Sequence, residues 1–400
     1  PYAELLITQP LAGSADPLAL ADTTIYLPTR RACRLAQEAF RTSLGTDAAI
    51  LPRIVPIGDI DEDEIVFANI AAGAIASESL SLPSAIDGFE RKALLSKLIA
   101  AFAAQNAVKG GEGMSLIANS PAAAYALSGE LARLQDDMIT RKVDWAKLDA
   151  LVPAEMDRYF EITLEFLKIA HQVWPELLKE RGEIDAAERR DRLIDAETLR
   201  LQRPGGGPVI AAGSTGSMPS TAKLLATIAR LPNGAVVLPG LDLDLDEKSW
   251  NAIGNAEDGP APGHPQFSMH GLLARMEVTR DAVTELGARA EYGREKLTSE
   301  ALRPASVTDR WQNQLRSDGF EAQKRTALSG IALIEAAHPE EEALAIAVAL
   351  REAVDIEGSG SAARTAALIT PDRALARRVL AALARWNVPV DDSGGDPLSE

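Results

Sequence analysis

The chain has 400 residues, 46% of them hydrophobic, which is enough for two to three globular domains with buried cores. Its 41 Lys and Arg against 58 Asp and Glu leave a formal charge of -17, so the summed field repels nucleic acid and anionic membrane unless basic groups cluster locally. A single cysteine, Cys33, excludes an intramolecular disulfide or a multi-cysteine zinc or iron-sulfur site within these residues and fits a reducing compartment, with cytoplasm as the expectation.

No apolar run approaches the ~20 residues of a membrane span, and no basic-then-apolar leader precedes Tyr2. A membrane partner is not expected. The chain opens at Pro1 and stops at Glu400 just after a turn-rich DDSGGDP run, and it reads as a segment of something longer.

The first element is a strand, Ile25 to Leu27, broken by Pro28-Thr29. A helix follows, with Ala32, Leu35, Ala36, Ala39 and Phe40 at helical spacing and Arg30, Arg31, Arg34 and Arg41 on other faces. From Leu82 to Gln202 helices dominate: 88–104, 122–140, 155–180 and 185–201. The third has two apolar stripes that place it inside a small bundle, with His171 as a hydrogen-bonded core residue and Pro175 as a kink or stop.

After the breaker RPGGGP come a strand at 209–212, the turn GSTGSMPST, a helix at 222–231 and a strand at 235–238. An acidic run and a Gly/Pro-rich loop at 254–265 follow, then weaker helices at 266–276 and 310–315. A new unit opens with a strand at 331–337, then Pro339 and a helix to Val354. Next are a strand at 366–369, Thr370 as helix N-cap, Pro371 at the first helical position and a helix to Trp386. Strands alternating with helices imply parallel sheets, whose ligands gather at the carboxyl ends of the strands.

Chemistry-bearing motifs are few. No Gly-Lys dipeptide exists, so these residues hold no P-loop. Gly213, Ser214, Thr215, Gly216 and Ser217 follow a strand and precede a helix; they form either a structural tight turn or amides offered to an anion. Asp242, Asp244, Asp246 and Glu247 either solvate a loop or hold a divalent cation, although the calcium-loop glycine is absent. His171, His264, His270 and His338 lack zinc spacing, and Cys33 reads as small buried packing. RDRLID, 190–195, resembles a fragment of a nuclease signature without its Asp-x-Lys.

Positive charge departs from the chain average in two places. Four arginines stand against Glu38 between Arg30 and Arg41, and five against Asp372 between Arg364 and Trp386. Arginine forks at strand ends suit phosphates, while an exposed face paired with the surplus acids is an equal alternative.

TIYLPTRRACRLAQEAF resembles the Ia motif of superfamily 1 helicases. With LPRIVPIGDIDEDE, VIAAGSTGSMPSTAKLL, VVLPGLDLDLDEKSW and AALITPDRALARRVLAALARWNVPVDDSGGDPLSE, the chain is similar over nearly its whole length to the AddB subunits of bacterial AddAB helicase-nucleases. The resemblance implies an α/β fold built on RecA-like parallel-sheet domains. It gives a first part of domain 1 at 1–80, a helical insertion at 81–203, the second part at 204–325, and the start of a second RecA-like domain at 326–400.

It further implies a non-motor subunit in recombinational double-strand-break repair that partners an AddA-type helicase-nuclease subunit and DNA. Pro28, Thr29, Arg30, Arg31 and Arg34 would line the DNA path, with Pro371 and Arg373 as the matching turn. Where related subunits carry a magnesium aspartate, this chain has Ala211-Ala212-Gly213, so ATP and magnesium are not expected here. The family's nuclease domain and iron-sulfur cluster would lie beyond these residues, leaving this segment non-catalytic. The competing readings are a protein-interaction scaffold without DNA affinity and a nucleotide- or metal-dependent α/β transferase using the GSTGS turn and the acidic run.

Overall fold

A computed structural model describes residues 20–44, 50–59, 82–109, 120–149, 158–203, 205–255, 259–287, 289, 292–354 and 364–392. The chain is α/β and divides into two compact units, 1–321 and 322–400.

The first unit is built on a four-stranded parallel sheet of β1 (Thr24–Leu27), β2 (Arg53–Pro56), β5 (Val209–Ala212) and β6 (Gly234–Val237), in the order β2-β1-β5-β6. Ile25 stands beside Ile54 on one side and Ile210 on the other, and Ile210 beside Ala235. Because side chains alternate along a strand, each strand feeds two cores. Tyr26, Val55, Val209 and Ala211 face one layer, and Ile25, Leu27, Ile210 and Ala212 face the other.

Helix α1 (Arg30–Leu44) joins β1 to β2 and buries Cys33 and Phe40 on the second face. Helix α7 (Pro219–Ala229) joins β5 to β6 and buries Leu224, Leu225 and Ile228 on the first. The two crossovers run outward from the central pair in opposite directions, and right-handed crossovers of opposite direction put their helices on opposite faces. The result is a three-layer sandwich whose winding reverses between β1 and β5.

A helical block is inserted between β2 and β5. It contains α2 (Gly88–Lys109), α3 (Pro121–Arg141), α4 (Arg158–Lys168), α5 (Trp174–Arg181) and α6 (Ala186–Leu201). A parallel pair, β3 (Ser84–Ala85) and β4 (Glu183–Ile184), ties its ends. Leu95, Ile99, Leu131, Phe166 and Trp174 form its core. Helix α6 leaves this block to pack Leu193, Ile194 and Leu201 under the sheet. Beyond β6, α8 (Glu247–Ile253), α9 (Phe267–Met276) and α10 (Arg294–Ala301) complete the unit, with Trp250, Ile253 and Leu273 in a smaller cluster.

In the second unit α11 (Pro339–Val354) packs on α12 (Arg373–Ala384) through Ala343, Ala347, Val379 and Leu383. The strands expected at 331–337 and 366–369 do not form. Leu333 and Ile369 are 84% and 95% exposed, because no described segment of the unit offers a backbone ladder to them.

Other expectations are met or corrected locally. The α-helix expected at 155–180 is divided just before Pro175, as the proline leads one to expect. The proline sits in the first turn of α5, after a π-helical turn at Ile169–Val173. His171 is half-buried and stacks on Trp145 instead of entering the core. The N-cap of α12 is Asp372, whose carboxylate accepts from the amides of Ala374 and Leu375, while Thr370 accepts from Asp372 N. Strand β2 was not among the expected elements; Pro52 precedes it and Pro56 ends it. As a sheet edge it tolerates a proline that a central strand would not. Among the described residues no helix is long and apolar enough to cross a membrane.

Candidate functional site

In open parallel sheets the crevice for ligands lies outside the carboxyl ends of the strands where the winding reverses. Here that point is between β1 and β5, and the segments leaving it are the Pro28–Arg31 turn and the Gly213–Ser217 turn. They are neighbours: a Cβ added at Gly213 would lie 3.5 Å from Pro28 Cδ. Two motifs far apart in sequence are therefore neighbours at the carboxyl ends of the central strands.

Local chemistry shapes each turn. Thr29 caps α1, its Oγ1 accepting from Ala32 N at 3.1 Å and its carbonyl from Cys33 N at 3.1 Å. Pro28, Thr29, Arg30, Arg31 and Arg34 are exposed, and the first turn of α1 contains no acidic residue of its own. In the other turn Gly213 adopts φ +80° and donates its N–H to Val237 O at 3.0 Å. Gly216, at φ +63°, donates to Ser214 Oγ at 3.3 Å. A Cβ there would approach Leu272 of α9 to 2.9 Å, so glycine is needed for both conformation and packing. Ser214 and Thr215 are half-buried and Ser217 is exposed. Met218, which precedes α7, provides no side-chain cap for its amides. Both helices thus direct positive ends toward the crevice.

A buried polar network holds β1 in register beneath the crevice. Tyr26 donates its hydroxyl to Glu197 of α6, and Glu197 accepts a fork from Arg200 at 2.7 Å on each oxygen. Arg53 of β2 lies 3.7 Å from the same carboxylate. Burial by itself raises the Glu197 carboxyl, but the Arg200 fork, the Tyr26 hydroxyl and Arg53 outweigh it and hold the group below its ordinary range. Burial, then the Glu197 charge, pushes the Tyr26 phenol up. Neither residue was singled out from the sequence. A buried Tyr-Glu pair 171 residues apart has no local signature.

The acidic run is tied down by hydrogen bonds and ion pairs, with Glu247 still exposed to solvent. Asp242 Oδ1 accepts from the amides of Asp244 and Leu245, Asp244 pairs with Arg289 at 2.9 Å, and Glu247 with Arg280 at 2.8 Å. Asp246 caps α8 and takes Arg303 and Arg310. Burial raises its carboxyl, but those hydrogen bonds and the ones from Ser249 hold it well below the carboxylate range. Among the described residues no group of three or more His, Cys, Asp or Glu is placed to hold a metal ion.

No family model matches this chain, and no curated protein matches it. The second basic turn belongs to the other compact unit. There Pro371 is exposed, and Arg373 forks onto Asp392 at 3.0 and 2.8 Å. Arg378 lies 3.6 Å from Glu340, and Arg351 stacks on Trp386 at 5.0 Å. Of the residues expected to contact DNA, those of the first unit lie exposed in the turn after β1 and the first turns of α1, while Arg373 faces a carboxylate.

Proposed function

We propose that this chain is a helicase-like, RecA-like portion of an AddB-type subunit that binds DNA phosphates at the crevice between β1 and β5 and turns over no nucleotide itself. The observation that carries the reading is the proximity of the Pro28–Arg31 and Gly213–Ser217 turns at the carboxyl ends of the central strands, with exposed arginines on the first of them. Guanidinium forks and uncapped helix amides are the two groups that position phosphates without reading bases. The lack of a Gly-Lys dipeptide, and of an aspartate where Ala211-Ala212 stands, supports a framework without its own ATPase within these residues.

An AddA-type subunit is the proposed partner and the cytoplasm the proposed compartment. The family's iron-sulfur cluster and nuclease domain are assigned outside these residues. Fluorescence anisotropy on labelled single- and double-stranded oligonucleotides tests the reading. Saturable binding lost in the Arg30→Ala/Arg31→Ala variant supports it, and binding indifferent to that variant removes the crevice. The Arg373–Asp392 fork favours a second reading, an interaction scaffold in which the basic turns serve packing alone. Capture of an AddA-type subunit by a chain with no DNA affinity would select it.

A further inference from the structure

The helical block carries a half-open pocket of about 460 Å3 between α3, α5 and the start of α6, within the range of small-molecule sites. Its walls follow from an irregularity in the long helix. Trp174 N–H bonds to Ile169 O in the π register, so the next carbonyl, Ala170 O, would need the amide of residue 175, which is proline. Gln135 Nε2 supplies the missing donor at 3.2 Å. Gln135 Oε1 in turn accepts from Arg91 Nη2 at 3.1 Å. Arg91 extends Nη1 to Asp136 at 2.8 Å and places Nε 3.1 Å from Asp185 Oδ1.

Asp185 lines the pocket at 4% exposure and accepts from Trp174 Nε1, 3.1 Å from Oδ2. A carboxylate offers about four acceptor positions, and Oδ2 receives only this indole among the described contacts. The same pocket is lined by the half-buried Trp145, one face of which stacks on His171 at 5.5 Å. Of the charged groups at the mouth, Arg192 is tied to Glu188 at 2.5 Å and Glu183 to Arg181 at 2.7 Å. What the pocket presents is a rigid buried carboxylate and indole surface. Such a polar set costs stability relative to apolar packing of the same volume.

We propose that this pocket binds a small planar organic cation of the amidine or guanidine class, its N–H donors on Asp185 and its face against Trp145. Charge-assisted hydrogen bonds and a cation-π contact are the two interactions that this pair of side chains provides together. The inference is independent of the DNA reading.

Benzamidine, titrated into the full chain by calorimetry with the indole N–H signals followed by NMR, is the test, and neutral benzamide is its isosteric control. Saturable one-to-one binding is expected, with benzamide weaker by about tenfold or more. Trp145→Ala weakens benzamidine about tenfold, and Asp185→Asn, which retains an acceptor for the indole, does the same, each measured at a temperature where circular dichroism shows the variant folded. Should Asp185→Asn fail to fold, Trp145→Ala carries the test, because Trp145 is half-exposed and lies between helices. Absence of saturation at millimolar probe, equal affinity for benzamide, or full affinity in Trp145→Ala overturns the proposal. The Arg30→Ala/Arg31→Ala variant should bind benzamidine as the parent does, so failure at one site is separable from failure at the other.

Discussion

Glu197 is fully buried, yet three elements meet on its carboxylate: β1 through Tyr26, β2 through Arg53, and its own helix α6 through Arg200. Removing one member of a buried ion pair leaves the other uncompensated, so Glu197→Gln is expected to destabilise the first unit by about 3 kcal/mol. Tyr26→Phe should cost about 1–3 kcal/mol. Urea unfolding followed by circular dichroism measures both, and losses below about half a kcal/mol would refute the anchoring role. The pH dependence has two arms. Glu197 is held below its unfolded value, so its contribution is present above the unfolded carboxyl pKa and lost as pH falls through the folded one. Tyr26 is held above its unfolded value, so its contribution is complete below about pH 10 and declines as pH rises beyond. Two glycines in the crevice differ in the same graded way. Gly213→Ala meets backbone strain with Pro28 at ordinary contact distance, whereas Gly216→Ala adds an overlap with Leu272. The first should cost about 1 kcal/mol and the second clearly more, about 2–3 kcal/mol. Equal midpoints for the two variants would contradict the packing described.

The elements best legible in the sequence were those whose signals are local. Strand β5 is an unbroken apolar tetrapeptide between Pro208 and Gly213, and α6 follows Asp185 with apolar residues at helical spacing, so both lie where periodicity and punctuation put them. What depended on partners was not legible. Strand β2 is flanked by prolines and exists because β1 pairs with it, while 331–337 looks like a strand and has no described neighbour to pair with. The crevice was half legible: the turns and their arginines could be named, but their proximity is a property of strand order. The π-turn that creates the helical-block pocket left only Pro175 as a trace. Element-scale chemistry predicts that Asp372→Ala lowers the stability of the second unit by about 1 kcal/mol through loss of its cap. Leu333→Lys and Ile369→Lys should change it by less than about 0.5 kcal/mol, given their exposure. Thermal melts of the full chain read both, and a large loss on Leu333→Lys would mean that this segment is buried by a partner strand.

At the scale of the molecule, a chain of net charge -17 binds a polyanion only where its field is locally inverted. The acidic run after β6 shows how the surplus acids are distributed. Arg280, Arg289, Arg303 and Arg310 are tied to Asp244, Asp246, Glu247, Glu285 and Glu300, leaving that corner without excess positive charge. The N-terminal turn of α1 is capped by Thr29, carries no acidic residue of its own and leaves Arg30, Arg31 and Arg34 exposed. Long-range repulsion and local attraction predict weak DNA affinity at low salt that falls further as counterions compete for the phosphates. The measurement that bears most directly on this account is the slope of log affinity against log salt for duplex DNA, in the parent chain and in Arg30→Ala/Arg31→Ala. Two lost phosphate contacts should flatten the slope by about 1.8 while weakening every sequence alike. Identical slopes in the two proteins would show that DNA, if bound at all, is not held at the crevice between β1 and β5.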